Sequence, residues 1–274
     1  MRKINSILWM FLISSTSFSQ TFDNKNYEKY EINKLPVFFI IPDSKENNTK
    51  EEMSNLVANY WMDKNYKILT KEEARKLIKQ GENGVLAEFQ GCYYTSTRNG
   101  FYSATSNRFI MEYKGKAILT ILIEDNISKA DVVYAFRQVQ FIIKNRLKFK
   151  KSYVWSESAS LYGDLLKKKT LLISKNDIRE NKIEEIKEVY PYNILIVDEA
   201  EKTEKILSGD EKYLTINYGN YLWSDGKTSS FKILYSISDG TIVSFSMPQV
   251  SFGGLSSSHL LKVKDFKNFI KECK

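Results

Sequence analysis

Gly100 and Gly226 stand 126 residues apart, and each follows an Asn or Asp between strand-like runs. The second run, Trp223–Phe245, reads WSDGKTSSFKILYSISDGTIVSF, with Asp225-Gly226 and Asp239-Gly240 separating stretches rich in Phe, Ile, Tyr and Val. A two-residue type I′ turn needs φ > 0 at both central residues, which Asn-Gly and Asp-Gly tolerate best. The run therefore predicts three antiparallel strands joined by tight turns. The first half follows the same plan: Gly84–Thr97, Asn99-Gly100, Phe101–Tyr113, Lys114-Gly115 and Lys116–Glu124. Gly115 and Gly240 are 125 apart, and Tyr66 of YKILT and Tyr192 of YNILI are again 126 apart. Landmarks holding one offset read as an internal duplication.

The remaining segments complete each copy. In the first, Val37–Ile41 (VFFII) suits a buried strand. Thr49–Met62 predicts a helix capped by Thr49, with Met53, Leu56, Val57 and Tyr60 on one face. TKEEARKLIKQG predicts a short helix capped by Thr70 and stopped by Gly81. SKADVVYAFRQVQFIIKNRL places Val132, Phe136, Val139 and Ile143 at helical spacing. In the second, Lys169–Ser174 opens as a strand, IRENKIEEIKEVY and EAEKTEKILSGD are helical, and His259–Glu272 closes as a helix. The fold class is α/β, two tandem β-α-β-α-β-β-β-α modules, each a mixed sheet with packed helices. The divisions are residues 20–33 as an N-terminal segment, 34–148 as the first module, 149–167 as a linker with a short helix near Ser158–Leu166, and 168–274 as the second module. With 42% hydrophobic and 27% charged residues, each module can bury a core of its own.

Met1–Ser19 has a basic start, an apolar run too short to span a bilayer, and small residues at Ser17–Ser19. It reads as a secretory signal peptide with Gln20 the first mature residue, so the protein is expected to be exported, periplasmic or secreted. No later segment is apolar enough to cross a membrane. The formal charge of +8 falls to +6 without Arg2 and Lys3. The excess is spread out, with clusters at Lys148, Lys150 and Lys151 and at Lys167–Lys169 that read as solvated surface, and export argues against nucleic acid. Cys92 and Cys273 fall in different modules, and spacing leaves a bridge or two thiols equally open.

The order of elements resembles the modules of the TolB N-terminal domain and the curli-export lipoproteins. LTKEEARKLIKQG is similar to their short helix after strand two, and LYSISDGTIVSFS to their strand pair about an Asp-Gly turn. The chain lacks the lipidation cysteine of the lipoproteins and the propeller of TolB. The resemblance implies an envelope protein working through protein contacts, and it carries over no catalytic residues.

Histidine chemistry rests on His259 alone, at a predicted helix entry, so a Ser-His-Asp triad or a zinc site has little to draw on, and no metal or cofactor is expected. Gly253-Gly254 reads as a loop rather than an anion nest. The acidic pairs Glu124-Asp125 and Asp198-Glu199 each end a strand and precede a helix, where carboxylates favour the helix dipole. What remains is a surface. Tyr93, Tyr94, Arg98, Phe101 and Tyr102 in the first hairpin, and Tyr218, Tyr221, Trp223 and Lys227 in the second, combine the aromatic and cationic types enriched at binding hot spots. Cross-strand aromatic pairing is the structural alternative. The sequence thus points to a non-enzymatic two-module binding or scaffold protein of the cell envelope, its partner another envelope protein or an anionic envelope polymer. The alternative is a secreted hydrolase cutting such a polymer with two acidic residues.

Overall fold

A computed structural model describes residues 21–41, 47–91, 94–96, 102–104, 107–123, 127–148, 154–222, 228–246, 250–251, 254–255 and 260–271. Residues 1–20, both cysteines, His259, Glu124-Asp125, Gly253 and the turn residues Asn99, Gly100, Asp225 and Gly226 lie outside the described residues.

The first module runs β2 (Val37–Ile41), α2 (Asn47–Tyr60), β3 (Tyr66–Thr70), α3 (Lys71–Lys79), β4 (Val85–Gln90), β7 (Arg108–Tyr113), β8 (Lys116–Leu122) and α4 (Lys129–Asn145). The short strands β5 (Tyr94–Ser96) and β6 (Tyr102–Ala104) interrupt it. The second runs β9 (Thr170–Ser174), α7 (Ile183–Val189), β10 (Ile194–Val197), α8 (Glu199–Ser208), β11 (Tyr213–Leu222), β12 (Thr228–Ser236), β13 (Ile242–Ser246) and α9 (Val263–Lys271). The connector holds α5 (Val154–Tyr162) and α6 (Leu165–Lys168), so its helix starts four residues before the predicted position. The helix α2 begins at Asn47, which puts Thr49 inside it rather than at its cap. The closing helix α9 likewise starts at Val263 rather than His259.

Both sheets are mixed and share one order. The first is β3-β2-β4-β7-β8, the second β10-β9-β11-β12-β13. In each, the three strands of the β-α-β-α-β unit are parallel and the meander is antiparallel. Both meanders also shift register once, at Met111/Glu112 and at Leu234/Tyr235. An extra strand, β1 (Thr21–Phe22), pairs with Thr120 and Leu119 at the free edge of β8. It leads into α1 (Asn24–Lys29), and Phe22, Tyr27 and Ile32 of this N-terminal segment join the core.

Helix entries follow the sequence signals. Thr70 and Glu73 form a capping box at α3, and Ser128 and Asp131 form one at α4. Asp198 accepts from the Glu201 N–H at 2.8 Å, so that carboxylate serves the start of α8. Gly81 and Gly209 close α3 and α8 at φ +90 and +71. These caps place Thr70 opposite Asp198 and Tyr66 opposite Ile194, so the Tyr66–Tyr192 equivalence is two residues out. The tight turns differ too. Lys114 and Gly115 have φ of 50 and 70, a two-residue type I′ turn joining Tyr113 to Lys116. Only Gly240 is left-handed in the Asp239-Gly240 turn. There Ser236 N–H reaches the Thr241 carbonyl at 2.9 Å, and the Asp239 carboxylate holds the Thr241 N–H, making a longer loop than the I′ turn expected.

The expectation of separate cores is corrected by α4. From Asp131 to Val139 every residue is buried. A helix buried all round must lie between two layers. Phe136 packs on Phe39, Phe109 and Trp61 of the first module, with ring centroids 5.4–5.9 Å apart, while Tyr134 packs on Tyr235 of the second at 4.6 Å. Helix α5 extends the layer: Trp155 meets Phe231 and Phe245, and the Ser158 hydroxyl donates to the Ile242 carbonyl at 2.6 Å. Phe231, Ile233 and Tyr235 of β12 therefore belong to the core of the first module. The opposite face of the second sheet has a core of its own under α7 and α9. The outer face of the first sheet carries Phe38 and Ile40 beneath Ala74 of α3.

Candidate binding site

The first hairpin is longer than its sheet. Gln90 pairs with Arg108 in the main sheet, and Tyr94 pairs with Ala104 and Ser96 with Tyr102 in the same register beyond it. Strands β5 and β6 thus make a separate two-stranded ribbon, paired to each other alone among the described residues. In the second module β11 and β12 pair without interruption from Leu214–Ser236 to Leu222–Thr228. The two ribbons end on registers that match at an offset of 126, and both leave five residues between strands, 97–101 and 223–227. The turns expected at Asn99-Gly100 and Asp225-Gly226 fall within these two segments and lie outside the described residues.

Of the hairpin residues read from the sequence, Tyr94, Tyr102 and Tyr221 sit on these ribbon strands. Tyr93, Arg98, Phe101, Trp223 and Lys227 lie outside the described residues. Tyr218 does not belong with them. It is 3% exposed and joins Leu214 and Ile216 on the inward face of β11, because side chains two apart share a face and this strand is ten residues long.

Around Tyr218 lies a buried charge cluster that the sequence reading missed. Lys232, directly opposite Tyr218 in the ladder, is 2% exposed. Its ammonium donates to Asp265 at 2.6 Å and to the Leu260 carbonyl at 3.1 Å. Asp265 also accepts from the Ser246 hydroxyl at 2.9 Å and the Lys262 N–H at 2.8 Å. Lys202 of α8, 5% exposed, pairs with Asp177 at 2.8 Å and lies 6.0 Å from the Tyr218 ring centre. Burial pushes the Lys232 ammonium below the usual lysine range, and the charge of Asp265 opposes that. Burial likewise raises the Asp131 carboxyl at the start of α4, against the hydrogen bonds from Ser128. The cluster stands at the carboxyl end of β9, the place in an open α/β sheet where crevices form. Each cation already holds a carboxylate, so the arrangement ties β12 to α9 and α8 to the turn that follows β9. The legible signal was Lys232 at an inward position of FKILYS, in phase with Leu234.

The seam between modules supplies a second feature. Arg137, 9% exposed, donates Nη1 to the Ile206 and Ile237 carbonyls and Nη2 to the Leu207 carbonyl at 3.3 Å. It thereby caps the last turn of α8 and fixes the β12–β13 turn. Gln138 donates to the Gly240 carbonyl. A Cβ on Gly240 would lie 2.6 Å from the Arg137 backbone, so turn and helix meet with no side chain between them. Beside this contact opens a cleft of about 650 Å³, where the N-terminal segment, α4, α5 and the Ser238–Thr241 turn converge. Its walls include Tyr27, Val37, Trp61, Met111 and Phe141, all nearly buried. Its edge carries Asn33, Asp63, Lys144, Lys148 and Asp239.

Among the described residues no group of three or more His, Cys, Asp or Glu side chains could hold a metal ion, and no helix is long and apolar enough to cross a membrane. Compared with known proteins, the chain matches no protein-family model, no curated protein and no solved structure.

Proposed function

We propose that this is an exported, non-enzymatic binding or scaffold protein of the cell envelope that works through protein contacts made by its hairpins. The observation that carries this reading is the β5–β6 ribbon, which continues the first hairpin in register beyond the sheet that anchors it. Tyr94 and Tyr102 lie on the strands of this ribbon, and aromatic residues near an arginine in sequence are types that suit a binding hot spot. The duplicated module and the resemblance to TolB N-terminal and curli-export modules agree with an envelope role.

Two outcomes test the proposal. Protein recovered from the producing cells should begin at or near Gln20 by intact-mass and terminal-peptide measurement, and a dominant form retaining Met1 would remove the case for export. In crosslinked capture from the native envelope, the double variant Arg98→Ala, Phe101→Ala should weaken partner binding by about 2 kcal/mol, roughly 30-fold, while thermal stability stays nearly unchanged. Lost stability with retained capture would make these residues structural.

A further inference from the structure

We infer that the cleft at the module seam is a binding site for an anionic amphiphile, a molecule with an elongated apolar body and a terminal carboxylate. Its volume of about 650 Å³ falls within the range of roughly 300–1,000 Å³ usual for small-molecule sites, and it lies at a junction of structural units, where such sites concentrate. The inner wall is apolar and aromatic, built by residues that also belong to the main core, such as Val37, Trp61, Met111 and Phe141. That wall favours a body without hydrogen-bonding groups along its length.

The edge sets the head group. Asp239 is occupied by the Thr241 N–H at 3.1 Å and hydroxyl at 2.9 Å, and Asp63 by the Asn65 N–H at 2.9 Å. The two cations are less engaged. Lys148 donates to the Tyr162 hydroxyl at 3.2 Å, and Lys144, which is exposed, makes no hydrogen bond or ion pair with a described residue. An ammonium carries three donors, so both lysines retain donors for a ligand, while each carboxylate caps its own loop. A carboxylate at the edge and a hydrocarbon chain within match this division. The site is separate from the hairpins and stands whether or not they bind a partner.

The test is a fluorescence titration of the purified full-length chain with a dansylated undecanoic acid, alongside its methyl ester. The acid should bind saturably, one per chain, with blue-shifted emission, and at least five times more tightly than the ester. The double variant Lys144→Glu, Lys148→Glu should weaken the acid tenfold or more and change the ester little. Leu35→Trp, which fills the half-buried wall, should weaken both. An absence of saturable binding would overturn the assignment. So would equal affinity for acid and ester, or a rim variant that binds the acid like the parent while melting at the same temperature.

Discussion

Replacing Arg137 by Ala should lower the stability of the whole chain by about 3–5 kcal/mol, at about 1–3 kcal/mol for each buried carbonyl that loses its donor. The guanidinium joins three carbonyls that no other described side chain reaches: Ile206 and Leu207 at the end of α8, and Ile237 in the β12–β13 turn. Truncation takes the side-chain donor from all three, leaving Ile206 only the Gly209 N–H at 3.3 Å, at a contact where backbone meets backbone because Gly240 sits against Arg137 with no room for a Cβ. Lysine should recover only part of the loss, since one ammonium cannot span the fork that the guanidinium spans. Thermal denaturation measures this, with a fall of about 10 °C expected for a chain of this size. A loss under about 1 kcal/mol would mean that apolar burial alone holds the seam.

Asp265→Ala should be comparably damaging. The carboxylate is the acidic partner of Lys232, which stays 2% exposed and would keep the Leu260 carbonyl as its remaining hydrogen bond. Removing one member of a buried pair costs about 3–5 kcal/mol, mostly from the charge left behind. The double variant Lys232→Met, Asp265→Leu should therefore recover most of the loss, which separates a stranded charge from a merely broken contact. The pH dependence has a definite sign. Lys232 titrates below the ordinary lysine value in the folded state, so between those two values the unfolded chain binds more protons. Stability rises with pH in that window, and the penalty is fully present below it. The Asp265→Ala deficit should shrink as the solution is made alkaline, and an unchanged deficit would place the loss in packing.

Much of the fold was written in local signals. The caps at Thr70, Ser128 and Asp198 and the stops at Gly81 and Gly209 mark helices that local chemistry alone specifies. The sequence of elements along each copy followed from turns and apolar runs, while the order of strands across each sheet did not. Of the three landmarks, Gly115 and Gly240 both sit at positive φ, Tyr66 falls two residues from its expected match, and Gly100 and Gly226 lie outside the described residues. What escaped depends on segments distant in sequence. Nothing in a two-residue strand at Thr21–Phe22 announces that it will pair with β8. The helical face Val132, Phe136, Val139 was visible, yet the intervening Val133, Tyr134 and Ala135 also signalled a second buried side, which the single-face reading passed over. Tyr218 was misplaced because the hairpin was taken to leave the core too early, and the alternation Leu214, Ile216, Tyr218 shows where the buried stretch extends. The charge cluster and the cleft are assembled from residues far apart in sequence, and no local pattern brings them together.

Helix α4 belongs by sequence to one module and by packing to both. A layer shared in this way leaves no hinge between the two main sheets, so the strands that lead into the two hairpins start from one fixed separation. Engagement of both would make the second contact intramolecular, with an effective concentration set by geometry rather than by a flexible tether. A partner displaying two matching epitopes at that separation would gain avidity, and one with a different spacing would be held by a single hairpin. The protein would then discriminate by distance as well as by surface chemistry.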